Sequence, residues 1–148
     1  CCCRAGASLG VEDSDSLAAA AGVGRAFGMA FQITDDVMDY TAPPEQSGKD
    51  LANDLMQGKA TLPLLLACEQ NSELMKTIEE LSSREPLESE CLKVVEKVRS
   101  TDAIQRALSH ARAFSDQALE HLETFGSSEA AENIRELATY IVERVTLD

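Results

Sequence analysis

The chain has 148 residues, a formal net charge of -13, 44% hydrophobic residues and 26% charged residues. That length and balance suit a single domain, residues 1–148, with a sizeable hydrophobic core. The acidic excess argues against nucleic acid as a partner, because neutralising phosphates takes clustered Lys and Arg. No run approaches the ~20 apolar residues of a transmembrane segment, and no basic, apolar, small-residue sequence marks a signal peptide. Three of the five cysteines are the adjacent Cys1, Cys2 and Cys3, and the others are Cys68 and Cys91. An odd count without CxxC spacing is neither a disulfide framework nor a zinc site. The expectation is buried, reduced thiols on helices in a reducing compartment, the cytoplasm or an organelle.

With no Trp, two Tyr and four Phe, the core must be built from Leu, Ala, Val and Ile, a composition that favours helix. Residues 1–10 read as the end of a helix closed by Gly10, and the start at Cys1, without Met or a capping residue, suggests a fragment. Ser14 is the expected N-cap of a helix running to about Tyr40. Its apolar positions Leu17, Ala21, Gly24, Phe27, Gly28, Phe31 and Val37 recur mostly at three-to-four spacing. Gly22, Gly24 and Gly28 would weaken an isolated helix by ~1 kcal/mol each, so close packing of a neighbour is their expected role. The stretch Thr41–Gly48, with Pro43 and Pro44, reads as a loop, and 50–57 as a short helical turn.

Thr61-Leu62-Pro63 marks a helix start, with Pro tolerated in the first turn, for a helix over Leu64–Glu69. Asn71 or Ser72 would cap another to about Leu81, and Arg84-Glu85-Pro86 breaks the chain. Helices follow at 88–99, 102–124 and 128–145. In the second of these, Ile104, Leu108, Ala111, Ala118, Leu122 and Phe125 form one stripe with Ser115 as a polar interruption. The last carries Ile134, Leu137, Ala138, Ile141, Val142 and Val145. Without a period-two run of β-branched and aromatic residues, the reading is all-α, an antiparallel helical bundle.

The chemistry concentrates between Gly28 and Pro63, which contains Phe31-Gln32-Ile33-Thr34-Asp35-Asp36-Val37-Met38-Asp39, Gly48-Lys49-Asp50, Asp54-Leu55 and Gly58-Lys59-Ala60-Thr61-Leu62-Pro63. On a helix, Asp35 and Asp39 share a face, with Cα atoms ~6 Å apart along the axis. Asp36 lies about 100° round, at the edge of that face. Like charges so placed repel, and selection for stability alone would avoid them. Mg²⁺ supplies a reason, since it takes one or two carboxylates together with waters and substrate phosphate oxygens. Lys49 and Lys59 lie ten and twenty residues beyond Asp39. Lysines near such a carboxylate set could cradle a diphosphate.

The order FQxxDDxxD, GK, D-L, GKxTLP resembles the trans-isoprenyl (polyprenyl) diphosphate synthases, above all their medium- and long-chain members. Cys3-Arg4-Ala5-Gly6-Ala7 is similar to the helix before the motif, and Asp102–Val145 to the family's last two helices. The resemblance implies the C-terminal half of the isoprenoid synthase fold and Mg²⁺-dependent 1'-4 condensation of isopentenyl diphosphate with an allylic diphosphate. It makes Asp35 a direct metal ligand, with Asp36 and Asp39 assisting as ligands or through water. It makes Lys49 and Lys59 diphosphate-binding lysines, and it places Gln32 and Phe31 beside the reacting allylic and isopentenyl groups. Asn53 stands where the family usually has Gly. By the same resemblance, the family's first aspartate motif, arginine pair and isopentenyl diphosphate basic site would lie before Cys1. The expected partners are therefore a missing N-terminal half and a second subunit, in a homodimer or heteromer. A non-catalytic subunit of a heteromeric synthase is the competing expectation, and a terpene cyclase-type relative a third. Intact Asp35, Asp36, Lys49 and Lys59 favour the enzyme.

Overall fold

The structure, a computed structural model, describes residues 1–11, 13–41 and 52–145. Among these the chain is helical, with no strand. The helices are α1 (Cys2–Ala7), α2 (Ser14–Thr41), α3 (Asn53–Met56), α4 (Leu62–Gln70), α5 (Ser72–Ser82), α6 (Glu88–Arg99), α7 (Ala103–Leu122) with a 3₁₀ turn over Glu123–Phe125, and α8 (Glu129–Glu143). The all-α expectation holds, and most of the expected Thr41–Gly48 loop lies outside the described residues. No helix among the described residues is long and apolar enough to cross a membrane. Among the described residues two compact units emerge, one of residues 1–34 with 110–145, the other Asp35–Ser109.

In the first unit, α2 is capped by Asp13 rather than by Ser14. The Asp13 carboxylate accepts the Ser16 N–H at 2.7 Å, a bond that lowers its pKa, whereas Ser14 is already helical. The buried face of α2 also differs from the expected stripe. Ala19, Ala20, Val23, Ala26, Ala30 and Ile33 are buried, while Phe31 is 43% and Met29 42% exposed. This stretch is apolar round most of its circumference, so the period alone could not choose a face. The face chosen is the one with the smallest side chains, which allows close helix packing. Gly22 shows how close, because a Cβ there would sit 2.5 Å from the His121 ring. Gly28 does not fit that expectation, with open space where its Cβ would be.

The core of this unit includes Val23, Leu122 and Ala131, with Phe125 and Ile134 packed against them. Ser115, the polar interruption in the α7 stripe, is buried, and its hydroxyl donates to the Ala138 carbonyl at 2.8 Å. A buried hydroxyl needs such a partner. Ser128 caps α8 by accepting the Ala131 N–H. Ala138, Ile141, Val142 and Val145 are buried as expected, but Leu137 is half exposed. It lies one residue, about 100°, from Ala138 and so falls off the stripe.

In the second unit, α4 packs on α5 and α6, and α3 packs on α6. Leu64, Leu74, Cys91, Val94 and Val98 are almost fully buried, as are Ile104 and Leu108 at the start of α7. Asn71 caps α5, accepting the N–H groups of Glu73 and Leu74. Glu90 closes the start of α6. It accepts the Leu87 N–H at 3.0 Å and pairs with Arg84 at 2.7 Å. The Arg84 guanidinium is the main reason its carboxyl falls to about 2. All five cysteines are free thiols. Cys68 and Cys91 are buried as expected, and burial pushes both thiols up. Cys1, Cys2 and Cys3 are exposed instead, because α1 buries none of its residues.

Candidate functional site

Within the second unit, the C-terminal turns of α2 are anchored by Val37 and Tyr40, both fully buried. Asp35, Asp36 and Asp39 lie off that core-facing line, and each is half-buried. A carboxylate in that position is shielded enough to feel its neighbours and open enough to meet a ligand. Asp39 is fixed by Asp54, whose backbone N–H donates to Asp39 Oδ2 at 2.9 Å. Asp54 lies in the first turn of α3, and its own carboxylate receives Lys59 Nζ at 2.8 Å. The Lys59 side chain is 56% exposed and the Asp54 side chain 17%.

Lys59 sits on the turn after α3. Gly58 has φ +72 there, a left-handed conformation that glycine adopts without steric cost. The Lys59 N–H bonds to the Asp54 carbonyl at 2.8 Å, so the turn folds the lysine back over α3. The bond to Asp54 and that carboxylate's charge raise the Lys59 pKa, with Asp39 and Asp36 adding in the same direction. One corner of this unit therefore holds Asp36, Asp39, Asp54 and Lys59. Beneath it, the Tyr40 and Thr61 hydroxyls share a buried 2.9 Å hydrogen bond. Burial is the main cause that pushes the Tyr40 phenol up, and Asp39, Asp54 and Asp36 reinforce it. Arg99 Nε donates to the Tyr40 carbonyl.

Phe31 and Gln32 belong to the first unit, where both are exposed. The Arg144 guanidinium lies 4.8 Å from the centroid of the Phe31 ring, within cation–π range. Thr34 joins the two, its hydroxyl donating to the Phe31 carbonyl at 2.8 Å and accepting from Arg144 Nη2 at 3.4 Å. Lys49 lies outside the described residues.

Of the residues singled out in the sequence, the structure thus gathers Asp36, Asp39 and Lys59. Sequence reasoning missed Asp54, although it stands five residues before Lys59 in the quoted Asp-Leu pair. It also missed Arg144, for which no local signal exists, since its partner Thr34 is 110 positions away. Among the described residues, no three His, Cys, Asp or Glu form a set that could hold a metal unaided. Asp35 and Asp36 offer hard oxygen donors of the kind a divalent cation takes together with waters and phosphate oxygens.

The family described as Polyprenyl synthetase matches residues 1–99. The chain belongs to this family. Among polyprenyl synthetases it is 38% identical, over 82% of its length, to heptaprenyl diphosphate synthase component 2 of Geobacillus stearothermophilus, and covers 37% of that protein. It matches the crystal structure of a polyprenyl synthase from Caulobacter crescentus, complexed with calcium and isoprenyl diphosphate, with a TM-score of 0.84 at 32% identity. That match covers 97% of this chain and 44% of the other. Heptaprenyl diphosphate synthase from Staphylococcus aureus gives a TM-score of 0.87 at 28% identity, covering 97% of this chain and 45% of that one. The chain therefore spans about two fifths of the length of these relatives, and its helices follow the polyprenyl synthase fold.

Proposed function

We propose that this chain is the C-terminal portion of a trans-polyprenyl diphosphate synthase, catalysing 1'-4 condensation of isopentenyl diphosphate with an allylic diphosphate. The observation that carries this reading is the corner in which Asp54 links Lys59 to Asp39, on the helix that also bears Asp35 and Asp36. Asp35 would hold Mg²⁺ directly, with Asp36 and Asp39 supporting it as ligands or through bound water. The bound ion would supply positive charge for a departing diphosphate. Lys59, with Lys49, holds the oxygens on which negative charge builds, where a fixed cation is worth most. Gln32 orients the reacting groups. Phe31 offers an aromatic face to the allylic cation, and an electron-rich ring face stabilises a nearby cation.

The relative from Caulobacter crescentus, crystallised with calcium and isoprenyl diphosphate, supports a divalent cation and a prenyl diphosphate as ligands here. The relative from Geobacillus stearothermophilus is named as component 2 of its synthase. This favours a second subunit, identical or different, as partner. It also keeps a supporting, non-catalytic role as the second reading.

Turnover of isopentenyl diphosphate with an allylic diphosphate by the full-length protein, with Mg²⁺, tests the proposal. Asp35→Ala should lower kcat by at least ~100-fold through lost charge stabilisation. Turnover unchanged by that substitution would sink the catalytic assignment and leave the supporting role.

A further inference from the structure

The chain between Asp54 and Thr61 is tied at both ends to consecutive residues of α2. At one end the Asp54 N–H donates to Asp39 Oδ2. At the other the Thr61 hydroxyl bonds to the Tyr40 hydroxyl at 2.9 Å. Lys59 lies between the two ties, two residues before Thr61. Two residues span at most about 7 Å of extended chain, so fixing Thr61 confines the Lys59 backbone to a small region beside the carboxylates.

The Tyr40–Thr61 bond stands out for what Thr61 gives up to make it. Thr61 occupies the N-cap position of α4 with extended dihedrals, φ -84 and ψ 162, yet its side chain makes no capping bond. A Thr N-cap ordinarily stabilises its helix by accepting an N–H of the first turn. Here the hydroxyl is turned to a residue 21 positions away. Tyr40 is fully buried and Thr61 nearly so. A phenylalanine would fill the space of Tyr40 without bringing a polar atom that burial penalises. Arg99 completes the arrangement by holding the Tyr40 carbonyl, which fixes the end of α2 that carries Asp39.

We propose that Tyr40 is a positioning residue, whose hydroxyl pair with Thr61 sets the register between the aspartate-bearing end of α2 and the Lys59 turn. The inference rests on the reading of that corner as a diphosphate site. It adds that the lysine is placed there by a buried contact remote from the ligand. Tyr40 touches neither metal nor substrate in this scheme.

The test uses the full-length protein with Tyr40→Phe, Thr61→Val and both together. Each change keeps the shape, and removing both hydroxyls leaves no buried group without a partner, so the double variant should fold. Two readouts are taken, amide hydrogen exchange at residues 58–61 and calorimetric affinity for inorganic pyrophosphate with Mg²⁺. Tyr40→Phe and the double variant should each speed exchange across 58–61 by about tenfold and weaken pyrophosphate binding by about three- to tenfold, the range one buried hydrogen bond supplies. Loss of affinity in a double variant that has regained wild-type stability is what a merely structural bond would not produce. Wild-type exchange at 58–61 in the variants, or faster exchange with unchanged affinity, overturns the positioning role alone. Failure of the wild-type protein to bind pyrophosphate with Mg²⁺ would bring down the functional reading and the positioning role together.

Discussion

Two regions of α2 are held in opposite ways. At its C-terminal end, Asp39 and Tyr40 are locked to Asp54 and Thr61 by hydrogen bonds between residues 15 and 21 positions apart. Eight residues before Asp39, Phe31 rests against Arg144 by one ring contact, with 43% of its surface exposed. The first region is polar, cross-linked and set up by nearby chain. The second is aromatic, open and dependent on a residue at the far end of the described chain. The contrast matches what each would do in the proposed reaction. Charge stabilisation requires donors fixed before the charge develops, whereas a ring facing prenyl groups must admit apolar chains of varied shape.

Substitutions at the two regions should therefore differ in size. Lys59→Met should have the largest effect. With the charge-assisted bond to a diphosphate lost, the KM for the diphosphate substrate should rise by about ten- to a hundredfold, as steady-state kinetics of the full-length protein would show. Gly58→Ala comes next. A Cβ there meets open space, so the cost lies in the left-handed backbone alone, about 1–2 kcal/mol. Thermal denaturation should show that loss, accompanied by a smaller rise in KM as the Lys59 turn shifts. Arg144→Met should have the smallest effect. The cation–π contact is worth about 0.5–1 kcal/mol at a partly exposed site. Arg144 Nε is also buried without a hydrogen-bond partner among the described residues, so its removal recovers part of the loss. A stability change above about 2 kcal/mol would show that the Phe31 region is as tightly built as the Lys59 corner.

The same contrast governs what could be read from the sequence. Helix boundaries were legible where local chemistry decides them. Asn71 and Pro63 mark starts that the structure keeps, the helix expected from residue 128 begins at Glu129, and Glu88–Arg99 matches to the residue. The face of α2 was not legible, because Phe27, Met29 and Phe31 are as apolar as Ala26 and Ala30, and only tertiary packing distinguishes them. At the site, the carboxylates and Lys59 announced themselves by spacing and by flanking glycine. Asp54 was passed over since a lone Asp in a short turn has many uses. Tyr40, Thr61 and Arg144 act through partners far along the chain, where no local pattern can point. The sequence reading also took Ser14 for the cap that Asp13 provides, because neighbouring Asp and Ser are nearly equal as N-caps.

The central claim is that the α2 carboxylates bind diphosphate through Mg²⁺ rather than stand as a solvated acidic surface. Calorimetric titration of inorganic pyrophosphate into the full-length protein, with and without Mg²⁺, tests it most directly, with Asp35→Asn as the comparison because it removes the charge and keeps the shape. The account predicts binding by the wild-type protein that requires Mg²⁺ and weakens at least about thirtyfold in Asp35→Asn, roughly 2 kcal/mol. Binding that is equally tight without Mg²⁺, or unaltered by Asp35→Asn, would contradict it.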